Sequence, residues 1–458
     1  MLPGAAQWIE RLVPEAAARW RPLAAEGMQY VFSHLSEPRR AAKLAEQLAL
    51  PPDTPPEKRL GRLISKMPGL QKIGQVLARN PRLSRALRHE LTRLENGLSD
   101  VTSEEIRSIV HEQLGRRLRQ FQVKLADGLL SEASVSAVLR FTWRNPNRER
   151  ERAVFKVQKP FIPHYLSEDL ELLHGLGRHL ADRDVDEALT EVRLLLEREL
   201  DFRREQATLS EAAATYRGTL GVRVPRVIPQ LSTDCVTAMS EESGVKVTAA
   251  ARRSPVRQGR IADQIIEALL SVPLFSGRQS AMFHADPHAG NLLYDEPNRE
   301  LIVLDWALAE HLSLAPRRQL ALLAAMMVLR NRDAVRGAVC ALRRTGSGDA
   351  AIDEEVNRFF DGLAPGYSPG VLDAMRLLDH VALRGVQFAA PLFLFRKSVF
   401  TLDGVLHDVT GKDVRIDHAM MRHFLTRWAA SFGLFHSPLE LGDFAEMARA
   451  YRVLPYCS

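Results

Sequence analysis

Cysteine is scarce, at three in 458 residues. Cys235, Cys340 and Cys457 are scattered, without metal-ligand spacing and in odd number, which fits a reducing cytosol and gives them no evident chemistry. Long apolar runs are missing as well. The longest candidate, Leu320 to Leu329, is about half of the ~18 residues a membrane span needs, so it reads as a core helix and no transmembrane segment is expected. The N-terminus has no apolar signal-peptide core, and Glu10 and Glu15 argue against a transit peptide. Aromatics are only 7% and do not interleave with the arginine clusters at Arg116–Arg119 and Arg144–Arg152, so no nucleic-acid partner is expected. A net charge of +6 then reads as a solvated arginine surface that could lean on an anionic membrane face. No internal repeat or low-complexity tract is visible.

What the chain does have is concentrated in one stretch. His284-Ala-Asp-Pro-His-Ala-Gly-Asn291 is followed fourteen residues after Asn291 by Asp305-Trp306-Ala307. Phosphoryl transfer from ATP needs a carboxylate beside the attacking group and oxygen ligands that hold Mg²⁺ against the phosphates. Asp286, Asn291 and Asp305 have the order and spacing of that constellation in protein kinases. Asn291–Tyr294 and Leu301–Leu304 flank a turn-like Asp295-Glu-Pro-Asn298, a hairpin that would deliver Asp305 beside the loop. By itself such a match also arises from ordinary turn residues, so the case rests on what lies upstream.

Ala153-Val-Phe-Lys-Val157 is a β-rich run, apolar apart from Lys156. A buried lysine needs anions, either phosphates or a carboxylate; the ordinary alternative is an edge lysine that snorkels. The segment from about Glu187 to Tyr216 lacks proline and glycine and reads as one helix, on which Asp201 and Glu205, four apart, share a face. Surface pairing with neighbouring arginines is the competing reading. Ser131–Val138 separates two strand-like runs, Phe121–Leu125 and Val138–Thr142, where a kinase carries its phosphate-covering glycine loop. This one holds no glycine. Its small residues, Ala133, Ser134, Ser136 and Ala137, still allow backbone to approach phosphate, with less freedom.

Taken together these pieces resemble the UbiB (AarF-domain) family of atypical, protein-kinase-like proteins. The resemblance covers about residues 60 to 310. Its most distinctive mark is Lys72-Ile-Gly-Gln75, a KxGQ motif; the others are Glu199-x-Asp201 with Glu205, the alanine-containing loop at 133–137, and the DPHxGN loop. The resemblance implies Lys156 as the ATP-phosphate lysine, Glu205 as its ion-pair partner, Asp286 as the catalytic-loop aspartate, and Asn291 and Asp305 as Mg²⁺ ligands. It implies that Lys72 and Gln75 fold over the site where a protein kinase binds peptide, facing Glu199 and Asp201. Lys72, Gln75 and Arg79 fall on one polar stripe, with Leu70, Ile73, Val76 and Leu77 opposite; a plain amphipathic helix would look the same. The chain departs from the family at Ser136-Ala-Val, where Gly-Gln-Val is usual, and at Asp305-Trp-Ala in place of Asp-Phe-Gly. It also lacks the apolar C-terminal segments many members carry.

The expected architecture is an α+β, kinase-like two-lobed fold: a helical extension over 1–60 that closes on the stiff linker Pro51–Pro56, a KxGQ helical segment over 61–117, a small lobe over 118–245, and a large helical lobe over 246–458. Val222–Val224, Val227-Ile and Cys235–Met239 are read as the small lobe's later strands. Met239-Ser-Glu241 begins the hinge whose backbone reads adenine. In the first helix-like stretch, Trp8, Ile9, Leu12, Trp20 and Val31 would pack on the protein or dock on a bilayer.

Three functions compete. The first is an ATP- and Mg²⁺-binding atypical kinase or ATPase supporting isoprenoid-lipid or quinone biosynthesis, cytoplasmic or peripheral at the inner face of a membrane; the resemblance implies lipid or lipid-pathway proteins as partners. The second is a small-molecule phosphotransferase of the aminoglycoside or choline type, which also carries Asp-Trp at the metal motif. The third is a nucleotide-binding pseudokinase scaffold, motivated by Ser136-Ala137 and Ala307.

Overall fold

The computed structural model describes residues 12–13, 18, 21–78, 84–96, 100–219, 221–344, 346, 348–430 and 437–453. Trp8, Ile9, Trp20, Arg79 and Cys457 therefore lie outside the described residues. The chain forms two compact units, one of residues 1–207 and 226–241, the other of 208–225 and 242–458.

The first unit is built on an antiparallel sheet in the order β1-β2-β3-β5, with β1 Lys124–Glu132, β2 Ser136–Arg144, β3 Arg150–Gln158 and β5 Val236–Ser240. Alternation buries Leu139, Phe141, Phe155 and Val157, and the rings of Phe141 and Phe155 stack at 3.8 Å. Among the described residues six helices precede the sheet: α1 Arg21–His34, α2 Glu37–Leu48, α3 Pro56–Ile64, α4 Pro68–Ala78, α5 Arg85–Asn96 and α6 Ser103–Gln120. α6 opens on a Thr102/Glu105 capping box and lays Ile106, Val110 and Leu114 on the sheet core. α7 Ile162–Leu180 and α8 Arg183–Leu200 follow β3, and α9 Phe202–Thr215 comes after a break at Asp201.

Two expectations are corrected here. Pro51–Pro56 is not a stiff spacer but a tight turn. Gln47 Nε2 donates to Arg59 O at 3.1 Å and Arg59 Nη2 to Pro51 O at 2.7 Å, clamping α2 to α3, while Pro56 takes the first helical position, where its missing N–H costs nothing. The single helix expected from Glu187 to Tyr216 is two, because Asp201 leaves the helix and caps the next one. Its carboxylate accepts from Arg204 N at 2.9 Å. Asp201 thus shares no helix face with Glu205.

The second unit holds a four-stranded sheet, β4-β9-β8-β6, from β4 Val222–Arg223, β6 Val245–Lys246, β8 Leu292–Asp295 and β9 Glu300–Val303, and a ribbon of β7 Ser280–His284 with β10 Ala309–Ser313. β4 runs parallel to β9, so Val222-Arg223 belongs with the 292–303 hairpin and not with the strands at 124–158. Arg223 explains the preference: its guanidinium lies 2.7 Å from Asp295, 2.8 Å from Glu242 and 3.0 Å from Glu300, all in this unit. The other described elements are mainly helices: α10 Val247–Ala251, α11 Pro255–Ile266, α12 Leu314–Val328, α13 Arg332–Leu342, α14 Asp349–Asp361, α15 Val371–Leu383, α16 Ala390–Thr410, α17 Ile416–Ala430 and α18 Leu441–Val453. Leu320 to Leu329 lies in and at the end of α12, with Leu320, Leu323, Met326 and Met327 buried.

Candidate active site

Within the first unit, the β3 alternation that buries Phe155 and Val157 turns Lys156 to the opposite face, level with Val138 on β2 and Thr237 on β5. Its Nζ is 2.5 Å from Glu205 Oε1, and the two side chains are 13% and 4% exposed. Such a short pair between nearly buried groups supplies the anion a strand lysine requires. Glu205 stands in the first turn of α9, where the N-terminal end of the helix dipole also favours a carboxylate. The Asp201 cap therefore acts at one remove, by fixing where α9 begins.

Lys72, on α4, forms an ion pair with Glu199 near the end of α8. Gln75, placed by its spacing on a wet stripe, is buried, as is Gln71. Leu77, expected on the apolar face, is 45% exposed. The glutamines are buried because α4 packs against both α7 and α8, so more than one of its faces is covered.

The small-residue loop is shorter than its sequence suggests. β1 continues to Glu132 and β2 begins at Ser136, which leaves Ala133–Val135 as the turn, closed by Ala133 N donating to Ser136 O at 2.8 Å. Ser134 and Ser136 are buried, and Ala137 lies inside β2 opposite Val157. On β5, Met239 pairs with Val154 and is half-buried. Glu241 follows, its carboxylate 2.7 Å from Arg140.

Within the second unit, Asp286, Asn291 and Asp305 come together on one loop cluster. The β7/β10 ribbon registers His284 against Ala309, and Ala285 N donates to Leu308 O at 2.8 Å. The chain then turns tightly: His288 N donates to Asp286 O at 2.9 Å and Asn291 N to His288 O at 3.0 Å. Gly290 fits because its N–H meets His288 Nδ1 at 3.1 Å, and a Cβ there would stand 2.7 Å from the same ring. Leu304 N donates to Asn291 O at 2.8 Å, so residue 305 emerges directly beside the asparagine.

Asp305 holds a left-handed backbone, φ 48°, which aspartate tolerates better than most residues. Its Oδ1 accepts from Ala307 N at 3.2 Å. Trp306 is fully buried, donates Nε1–H to Val303 O at 3.2 Å, and packs on Tyr216 and His284. The Asn291 amide nitrogen points to Asp286 O at 3.5 Å, which leaves the carboxamide oxygen as an acceptor.

His284 is the residue the sequence reading passed over. It is almost wholly buried, its Nδ1 accepts from Asp286 N at 3.2 Å, and its Nε2 meets Leu304 O at 3.2 Å. Both contacts together require the neutral, Nε2-protonated ring. Burial lowers its pKa below the usual histidine value, against the weaker pull of Asp305 and Asp286. One side chain thus ties the Asp286 loop to the strand that delivers Asp305. The only signal in the sequence was its position two residues before the aspartate.

The donor set suits magnesium better than a transition metal. Among the described residues no group of three or more His, Cys, Asp or Glu is arranged to hold an ion. Asp305 and Asn291 offer one carboxylate and one carboxamide oxygen, hard donors of the kind that fit Mg²⁺ when phosphates and water complete its shell.

A family model, several relatives and a solved structure match the chain. A family model described as an ABC1 atypical kinase-like domain matches residues 93–339. A Mycobacterium tuberculosis protein described as uncharacterized is 27% identical over 60% of this chain and 57% of its own length. A Haemophilus ducreyi protein named probable protein kinase UbiB is 27% identical over 63% of this chain and 54% of its own. The Arabidopsis thaliana chloroplast protein named activity of bc1 complex kinase 7 is 27% identical over 55% of this chain and 36% of its own. The chain thus spans little more than half the length of the first two of these relatives, and less of the third. Among solved structures, a Mycobacterium tuberculosis protein in complex with erythromycin superposes with a TM-score of 0.52 at 16% identity, over 88% of this chain and 96% of that one. That likeness concerns the fold alone.

Proposed function

Because the chain belongs to the ABC1 atypical kinase-like family, we propose that it binds ATP with Mg²⁺ and transfers the terminal phosphoryl group to a lipid-pathway acceptor or to water. The observation that carries this reading is the ordering, within each unit, of the groups that phosphoryl transfer requires: Lys156 on Glu205 in one, Asp286, Asn291 and Asp305 on one loop cluster in the other.

Lys156 holds the phosphates, with Glu205 keeping its ammonium charged and in place. The Ala133–Val135 turn covers the phosphates, and the backbone at Met239 and Glu241 receives the adenine. Asn291 and Asp305 hold Mg²⁺, which when bound screens the phosphate charge. Asp286 takes the proton of the attacking hydroxyl or water. The new P–O bond forms as the bond between the γ-phosphorus and the β–γ bridging oxygen breaks, and ADP leaves. The ion pair of Lys72 with Glu199 keeps α4 on α8.

A membrane-peripheral setting belongs to the same proposal. It is supported by the family resemblance, by the net charge of +6, and by the fact that no described helix is long and apolar enough to cross a bilayer. One observation favours a second reading, a small-molecule phosphotransferase: Asp305 is followed by a tryptophan buried as an anchor of the metal turn.

The deciding experiment is Mg²⁺-dependent ATP hydrolysis by wild type and Asp305→Asn, with and without vesicles containing an isoprenoid lipid. Turnover that lipid raises and the substitution removes is the expected result. Hydrolysis only in the presence of an amino sugar or amino alcohol selects the second reading. ATP binding without turnover under any condition turns the site into a scaffold.

A further inference from the structure

The helices after the hairpin sheet border a feature that the nucleotide chemistry does not use. A cavity of about 350 Å³ lies among α12, α17 and α18. Its walls include Phe275, Ala325, Met420, Phe424, Phe444 and Met447, and among its described lining residues only Asp417, His418 and Tyr451 have polar side chains. It opens to solvent past the exposed Met421, Leu425 and Tyr451, and water there gains few hydrogen-bond partners from its walls. Its size falls in the range of small-ligand sites, and the thioethers and rings can remould around a flexible chain.

A second cavity, of about 840 Å³, adjoins the first across the shared residues Val328 and Leu329. Its charged lining is mixed: the arginines Arg330, Arg332 and Arg449 with the carboxylates Asp333 and Glu446. The partition is the end of α12, where Leu329 N, Arg330 N and Asn331 N close the last turn on Ala325 O, Met327 O and Met326 O at 3.0, 3.1 and 3.0 Å, with Arg330 left-handed at φ 53°. That turn fixes the arginines at the edge of the apolar cavity. Arg330 donates to Tyr367 O, and Arg332 is held by Asp361 at 2.5 Å. Arg449 is exposed and makes no ion pair among the described residues.

We infer that this pair of cavities is a binding site for a single-chain anionic amphiphile, its tail between α12, α17 and α18 and its head group at Arg449 and Arg330. The head is a carboxylate or a phosphate; both are anions that arginine recognises. The site goes beyond the nucleotide reading and does not depend on it, since every residue named lies outside that machinery.

The test uses the full chain without nucleotide. Displacement of the fluorescent probe 1-anilinonaphthalene-8-sulfonate is followed on adding tetradecanoate, farnesyl phosphate or uncharged tetradecanol, each below its aggregation limit. One-site displacement by at least one anion is expected, with tetradecanol at least tenfold weaker; the tighter anion identifies the head group. Ala325→Trp, which fills the tail cavity, should weaken the anion at least tenfold, and Arg449→Glu at least threefold. If Ala325→Trp loses its thermal unfolding transition, Met447→Trp fills the same space from another helix and is expected to behave alike. The inference is overturned if neither anion displaces the probe, if tetradecanol competes equally, or if the folded filled variants bind as wild type does. A dimer that Ala325→Trp dissolves, or anion binding that rises tenfold on removal of residues 454–458, would give the cavity to a second copy or to the chain itself and also overturn it.

Discussion

Lys159 Nζ lies 2.7 Å from Glu132 Oε1, with the lysine fully buried and the glutamate 7% exposed. Asp100 completes the group, its Oδ2 3.5 Å from the same ammonium, while Ser65 Oγ and Gln71 Nε2 donate to its carboxylate at 2.6 and 2.9 Å. Burial works to raise the Asp100 pKa, but the Ser65 hydroxyl, the Lys159 charge and the Gln71 amide outweigh it and hold the carboxyl below its ordinary value. Glu132 is the last residue of β1 before the Ala133–Val135 turn, and Gln71 lies one residue before Lys72 on α4. A buried charge network thus joins the candidate phosphate turn to the KxGQ helix.

Removing the cation from that network should be severe. Lys159→Met leaves Glu132 and Asp100 without their shared cation, and breaking a buried pair in this way costs about 3–5 kcal/mol. Urea denaturation should show the loss in the transition that includes the 124–158 sheet. A change below about 1 kcal/mol would mean that the carboxylates find other partners and that the network does not hold the turn.

Asp305→Asn is the substitution that separates charge from shape. Asparagine also tolerates the left-handed backbone observed at φ 48°, and its side-chain oxygen can still accept from Ala307 N. Melting temperature should therefore stay within a few degrees of wild type, while Mg²⁺-dependent ATP turnover falls by a factor on the order of 10² or more, as for loss of one electrostatic group at a reacting centre. Asp305→Ala should lose stability in addition, because alanine has no side-chain acceptor and resists positive φ. Full turnover in Asp305→Asn would remove Asp305 from the proposed chemistry.

The sequence carried the hairpin well. Two short apolar runs, Asn291–Tyr294 and Leu301–Leu304, with the polar turn between them announced paired strands, observed as Leu292–Asp295 on Glu300–Val303, and the spacing of Asp286, Asn291 and Asp305 put the three near one turn. It carried long-range pairing poorly. Val222-Arg223 looks like any short β run, and only the Arg223 contacts with Asp295, Glu242 and Glu300 show which sheet it joins. Asp201 was misread because a capping aspartate and a mid-helix aspartate look alike in a charged stretch; the bond from Arg204 N distinguishes them. Lys159, Glu132 and Asp100 gave no local signal at all, since each is an ordinary charged residue until the fold buries the three together.

Lys156 and Glu205 should behave as a coupled pair. Lys156→Met is expected to weaken ATP binding at least tenfold, and Glu205→Gln to weaken it less, because the ammonium survives but is no longer held. If both act through one phosphate contact, the double variant should bind ATP no worse than Lys156→Met alone, a non-additivity readable by calorimetric titration of nucleotide. Additive losses would mean that the 2.5 Å pair is structural and that Glu205 serves the nucleotide by another route.

His284 predicts an acid-side instability. Its folded pKa lies below the ordinary value of 6.5, chiefly because the ring is buried, so the unfolded chain binds a proton at this residue that the folded chain refuses. Where the unfolded state holds more protons, stability rises with pH. The contribution is therefore complete above pH about 6.5 and declines as the pH falls from there toward the lowered folded value. Protonation would also cost the Asp286 N–H its acceptor, Nδ1, and loosen the loop that carries Asp286. His284→Gln should unfold at a lower temperature at pH 7.5, yet lose less than wild type between pH 7 and pH 5.5. Because the chain has 14 histidines, the informative quantity is the difference between the two pH profiles. Parallel profiles for the two proteins would show that His284 takes its proton as readily folded as unfolded, and the neutral ring would no longer explain how the loop is held.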